Sequence, residues 1–225
     1  MAQKIKPNAF RLGITIPWAS RWFFKRASRY FLEEDELIRK IIRAKILVSG
    51  IAAIDIERIG GDALKIFIKS SRPGLVIGRG GKGIDDLRDL IKQKAKVLRT
   101  KNNISQRFNL SLNIEELKRT EISAAVMAQN IAYDIEKRIP YRTVMKRSID
   151  LIKQNRVVQG VKIRMSGRLN GAEISRADWL SSGKMPLQNL RADIDYAEAT
   201  AFNSYGTVGI KVWIYKGEVF ADKSA

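Results

Sequence analysis

The sequence predicts an α+β protein: a basic arm over residues 1–31, a first domain over 32–117, a second α/β domain over 118–218 and a tail over 219–225. Three observations predict it. The chain has 225 residues, 45% of them hydrophobic, enough for two ordinary domains with cores of their own. Stretches of period-two alternation and of helical spacing interleave along it. A glycine-rich loop, Gly78-Arg79-Gly80-Gly81, sits between two short apolar stretches of helical type.

The elements follow in order. The arm to Phe31 carries Lys4, Lys6, Arg11, Arg21, Lys25, Arg26 and Arg29, with no acid before Glu33. Pro7, Pro17 and the aromatics Phe10, Trp18, Trp22 and Phe23 predict an extended segment that orders on RNA or on neighbouring proteins, or else a solvated basic arm. Glu33 to Val48 reads as a helix: Leu37, Ile38, Ile41, Ile42 and Ile46 recur at helical spacing. Ile51 to Arg58 and Ala63 to Ser70 alternate as strands around a Gly60-Gly61-Asp62 turn. Pro73 opens a short helix before the glycine loop, and a second helix runs to about Leu98. Thr100 to Gln106 reads as a polar loop and Phe108 to Ile114 as a strand, with a boundary near Lys118-Arg119-Thr120.

Thr120 is placed to cap a helix through Arg138, which Pro140 ends. Tyr141 to Asn155 forms the next helix. On its wheel Arg142, Lys146 and Lys153 fall within roughly 40° of one another, beside an apolar face of Tyr141, Met145, Ile149 and Ile152. Strands follow at Gly160 to Ser166, Leu190 to Tyr196 and Gly206 to Tyr215, with Gly171 to Pro186 irregular. The second domain is therefore two-layered: helices on one face of a mostly antiparallel sheet.

Charge and composition narrow the function. A net charge of +19 and a pI near 10.3 point to a polyanionic partner. No apolar run approaches the roughly 20 residues of a membrane span, and the charged start is no signal peptide, so no membrane is expected and the cytoplasm is the default. Cysteine and histidine are both absent. Disulfides, Cys/His zinc sites, thiol nucleophiles and histidine triads are thereby excluded, which argues against an enzyme. Arg191, Asp193 and Asp195 alternate on one strand. The paired acids could serve a magnesium-dependent nuclease, but Arg191 on the same face can neutralise them, so neither metal nor catalytic residues are expected.

The loop itself suits a phosphodiester backbone. Glycines allow positive φ and close approach, and the following helix points free N–H groups at the loop. Gly78 to Gly83 also fits the dinucleotide fingerprint, but Pro73-Gly74 leaves too short an upstream strand, and Lys101, Asn102 and Asn103 stand where an acid belongs. A P-loop fails because Gly83 follows Lys82 where Ser or Thr is needed.

Ile77, the Gly78-Arg79-Gly80-Gly81 loop and Ile84 resemble the core of a KH domain, and the helix and strand ahead of them match its type II arrangement. The resemblance implies a loop that clamps about four nucleotides of a single strand, with Gly78, Arg79, Gly80, Gly81 and Lys82 at the backbone. Gly80 replaces a basic residue often found there, which implies a weaker grip.

Lys4, Pro7-Asn8 and Arg11-Leu12-Gly13, then Ser166 to Ile174, Leu190 to Tyr196 and Lys211 to Ile214, look like the S-three family of bacterial small-subunit ribosomal proteins from end to end. That resemblance implies a structural constituent of the subunit head. Its implied partners are ribosomal RNA, messenger RNA at the entry tunnel, and neighbouring head proteins ten and fourteen. No cofactor and no small-molecule substrate are implied. The family's messenger-unwinding helix maps to Arg142, Lys146 and Arg147, with Lys153 on the same stripe. Thr143 replaces a second arginine there. Ala2 and Lys6 replace a usual glycine and histidine. Arg168, Arg176 and Lys184 flank the irregular segment and are candidate ribosomal RNA contacts, or charges that face water. The alternative to the ribosomal role is an extra-ribosomal KH-type RNA chaperone.

Overall fold

The computed structural model describes residues 5–23, 28–46, 50–59, 63–102, 108–118 and 122–220. The Gly60-Gly61-Asp62 turn, most of the 100–106 loop, Thr120 and the last five residues of the tail lie outside them. Two compact units form: Trp18–Lys118, and Met1–Pro17 together with Arg119–Ala225. The stretch read as one arm is thus divided between them.

In the first unit, β1 (Ser20–Arg21), β2 (Ile51–Ile59), β3 (Ala63–Ser70) and β4 (Asn109–Glu116) form one sheet in that order. The β1–β2 and β3–β4 pairs are parallel and β2–β3 is antiparallel. A parallel neighbour needs a crossover. Here α3 (Pro73–Ile77), the glycine loop and α4 (Lys82–Lys101) supply it. Together with α2 (Ser28–Lys45), α4 buries the apolar face of the sheet: Ile38, Ile42, Ile56, Leu64, Ile66, Leu87 and Ile91 share one core.

The α2 helix starts five residues before the sequence places it, and its first turns hold a charged core. Glu34 and Asp35 are buried together with Arg58 of β2 and Arg99 of α4. Arg58 Nη1 donates to Glu34 at 2.8 Å, its Nη2 donates to Asp35, and Arg99 Nε donates to Glu34 at 3.0 Å. Trp22 Nε1 also donates to Asp35, at 2.8 Å. The guanidinium groups lie over Phe31 and Phe108. Arg58 occupies an inward position of β2 where alternation calls for an apolar residue, and two acids of α2 compensate it.

The second unit contains α1 (Pro7–Phe10), α5 (Ala124–Glu136), α6 (Tyr141–Lys153) and the strands β5 (Gly160–Gly167), β6 (Arg176–Gly183), β7 (Ala192–Asn203) and β8 (Gly206–Glu218). The sheet order is β6-β5-β8-β7 and every pairing is antiparallel. Helices α5 and α6 cover one face, with Ile131, Ile135, Met145, Ile149, Ile163, Val212 and Ile214 in the core. Residues 176–183, read as irregular, form the edge strand β6. Six of its eight residues are exposed, so it shows no period-two apolar signal.

The described part of the arm packs on the protein. Arg11 is fully buried, donating from Nε to Ala192 O at 2.7 Å and from Nη2 to Asn189 O at 2.7 Å and Leu187 O at 3.1 Å. Burial lowers its pKa, partly offset by Asp193. Lys6 bonds Glu198 at 2.9 Å, and Arg21 bonds Glu57 at 3.1 Å. Asp195 is engaged as well: it accepts the first N–H of α5, from Ala124, at 2.8 Å and lies 3.8 Å from Lys216. The cation beside Asp195 is thus Lys216, Asp193 acts on Arg11, and Arg191 stacks over Phe220. No helix among the described residues is long and apolar enough to cross a membrane.

Candidate nucleic-acid interface

Around the glycine loop, Pro73 sets the first turn of α3, and Gly78 ends that helix at φ 72°. A side chain at Gly78 would stand 3.0 Å from Gly83 N, and one at Gly83 would stand 2.7 Å from Val76 O. These two glycines let α3 and α4 touch. Gly80 (φ 65°) and Gly81 (φ 81°) instead have open space around them and are required only for their backbone. At Gly80 a side chain would have to adopt this left-handed conformation at a cost of about 1–2 kcal/mol. Arg79 and Lys82 project into solvent, Leu75 and Ile77 are exposed beside them, and the N-terminal turn of the 20-residue α4 faces the loop.

The second site is the outer face of α6. Tyr141, Val144, Met145, Ser148, Ile149 and Ile152 point inward, which leaves Arg142, Lys146, Arg147 and Lys153 exposed. A shallow groove of about 500 Å³ runs along Arg142, Thr143, Lys146, Arg147, Asp150, Leu151 and Gln154. Lys153 lies outside it. Arg142 is held in place: its Nε donates to Tyr141 Oη at 3.1 Å, and Tyr141 Oη donates to Asp178 at 3.2 Å. The bond to Tyr141, with the nearby Asp178, raises the Arg142 pKa. Asp178 belongs to β6, so the segment read as irregular fixes the first cation of the stripe. At the start of α6, Asn170 accepts the Tyr141 N–H at 3.2 Å.

The third set does not converge. Arg176 opens β6 and pairs with Gly167, whereas Lys184 follows Gly183 at its other end, about 25 Å away along the strand. Arg168 is largely committed to the protein, donating from Nε to Ala172 O at 2.9 Å and from Nη1 to Tyr205 O at 3.0 Å. It ties the 168–172 turn to the β7–β8 turn. Sequence reading missed Arg138, which is exposed and has φ 64° at the C-terminal end of α5. It also missed Lys162, which lies 4.9 Å from the ring of the exposed Trp179. A basic residue in a left-handed backbone carries no sequence signal of its own.

A KH fold with its glycine loop, joined to a helix-faced antiparallel sheet with a basic helix, defines a class: non-enzymatic RNA-binding proteins. Comparison narrows the class to a family. Residues 37–122 match the KH domain family, and residues 131–214 match the family described as Ribosomal protein S3, C-terminal domain. The small ribosomal subunit protein uS3 of Thermotoga maritima is 43% identical over 220 residues, covering 97% of this chain and 99% of that protein. The uS3 proteins of Lawsonia intracellularis and Maridesulfovibrio salexigens are 44% and 42% identical, each over 97% of both chains. The chain belongs to the uS3 family.

Proposed function

We propose that this protein is a structural constituent of the small ribosomal subunit that binds ribosomal RNA and guides messenger RNA along the outer face of α6. The observation that carries the reading is the α6 stripe. Arg142, Lys146 and Arg147 line one exposed groove, Asp150 is the single acid on the helix, and Arg142 is pre-positioned by Tyr141 and Asp178. A cation already held in one rotamer loses less entropy when it meets a phosphate. The glycine loop serves as a second backbone clamp, with Arg79 and Lys82 at its mouth and α4 amides behind it. Arg176 and Lys184 contact ribosomal RNA at separate points, and Arg168 does so through the turn it holds. Thr143 leaves one cation fewer on the stripe, which limits unwinding of structured messenger. Head proteins ten and fourteen are its protein neighbours, and the cytoplasmic ribosome is its location.

Two measurements test this. In high-salt sedimentation of cell extract, the protein is expected to co-migrate with the small subunit; a soluble low-mass pool alone would overturn the ribosomal assignment. In binding to single-stranded RNA, the double variant Arg142→Ala, Lys146→Ala is expected to flatten the salt dependence by about 1.4 in log–log slope, at about 0.7 per phosphate. An unchanged slope removes α6 from the interface.

A further inference from the structure

A cleft of about 270 Å³ opens in the second unit between the end of α5, the 168–171 turn and the β7–β8 turn. It lies close to the lower size limit of ligand pockets, about 300 Å³. Its walls combine two kinds of group. Phe202 and Tyr205 are large aromatics that remain 72% and 56% exposed at its rim. The Tyr205 ring is braced from below by Gly171, where any added Cβ would meet the ring at 3.4 Å. Arg138 and Arg168 supply the charge. Arg168 spends Nε and Nη1 on carbonyls and keeps Nη2 without a bond among the described residues. Arg138 has no side-chain partner among the described residues and stands in a left-handed conformation, at a helix end where glycine is the ordinary choice. Glu136 is the one acid on the rim, and its carboxylate is occupied by the Phe202 N–H at 3.0 Å.

We infer that this cleft takes a single unstacked nucleotide of RNA, its base against the Tyr205 and Phe202 rings and its phosphate between Arg138 and Arg168 Nη2. Stacking on aromatics is tolerant of base identity, so the subsite grips a strand without reading its sequence. The two cations at the rim favour an anionic occupant and select against a basic peptide. The strain at Arg138 is then functional: glycine would relax the backbone but remove the guanidinium. The inference rests on the RNA-binding reading above and adds a base-stacking subsite to it.

The test uses the full-length protein and a fluorescent ten-nucleotide single-stranded RNA. Tyr205→Ala is expected to weaken binding about 5- to 150-fold, the range for one stacked base, with the salt slope unchanged. The wild-type protein is expected to bind an abasic version of the RNA as weakly, which reports the stack without any substitution. Arg138→Gly, compatible with its backbone, is expected to lower the salt slope by about 0.7 while raising the melting temperature. If the Arg142→Ala, Lys146→Ala variant loses affinity but Tyr205→Ala, Arg138→Gly and the abasic RNA change nothing, the cleft is no nucleotide site and the RNA-binding reading stands. If the wild-type protein does not bind the RNA at all, both fall.

Discussion

Arg58 and Arg99 show how a basic protein can hide its charges. Both are buried against Glu34 and Asp35, and they contribute to the fold rather than to phosphate binding. Removing one partner of such a cluster strands a buried charge, so Arg99→Met is expected to destabilise the first unit by about 3–5 kcal/mol in urea unfolding, with RNA affinity in native buffer unchanged. The glycines separate in the same way. Gly83→Ala must push α3 from α4 and is expected to cost about 1–3 kcal/mol. Gly80→Ala meets no atom and should cost about 1–2 kcal/mol of backbone strain alone; urea midpoints check both. Acidity acts through two carboxylates of opposite sign. Hydrogen bonds from Tyr196, Lys6 and Lys211 hold Glu198 down at about 2. Its contribution to stability is complete above the unfolded value near 4.3 and is lost as pH falls through 2. Burial instead raises Asp195, against the pull of the Ala124 N–H and Lys216. The folded protein therefore holds that proton more tightly, and stability drops as pH rises from the ordinary carboxylate range through the raised value. Glu198→Gln is expected to flatten the acid limb of the stability profile, and Asp195→Asn to remove the loss on the rising side; thermal melts from pH 2 to 8 check both.

Among the elements, those with strong periodicity were the legible ones. The inward faces of α2, α5 and α6 repeat at helical spacing, and β3 alternates in full, so all four elements were legible; the limits of β3 and α6 were readable within two residues, whereas the starts of α2 and α5 were misplaced by four or five. What escaped has identifiable causes. Strand β6 is an exposed edge, held by its pairing with β5 rather than by burial, so its composition resembles a loop. Strand β7 continues past Tyr196 through Ala197, Ala199 and Ala201, small residues that let α5 pack close but carry little β signal. The cap on α5 comes from Asp195, 71 residues downstream, a partner that no local pattern could reveal. Helix α6 has the same property at its start, where Asn170 takes the cap position. Its stripe was readable because one helix positions it; the Tyr141–Asp178 brace was not, because it crosses to another element.

At the scale of the whole molecule, the net charge of +19 is distributed unevenly in kind. Part of it is locked inside the two units, on Arg11, Arg58 and Arg99, and part stands on α6 and the glycine loop. Salt separates the two populations. Raising ionic strength from 0.1 to 1 M shortens the screening length from about 10 to 3 Å, which reaches exposed cations and hardly touches buried ones. RNA binding is therefore expected to fall steeply over that range while the urea midpoint changes little; a parallel loss of both would place the buried clusters in contact with solvent. The sequence by itself determined the fold class, the glycine loop, the basic face of α6 and the family, because each is written in local spacing or in contiguous blocks. Only the tertiary structure decided which cations are free. Whether an arginine meets water, a carboxylate or a backbone carbonyl depends on residues far away in the chain, and charge alone reads the same in all three settings.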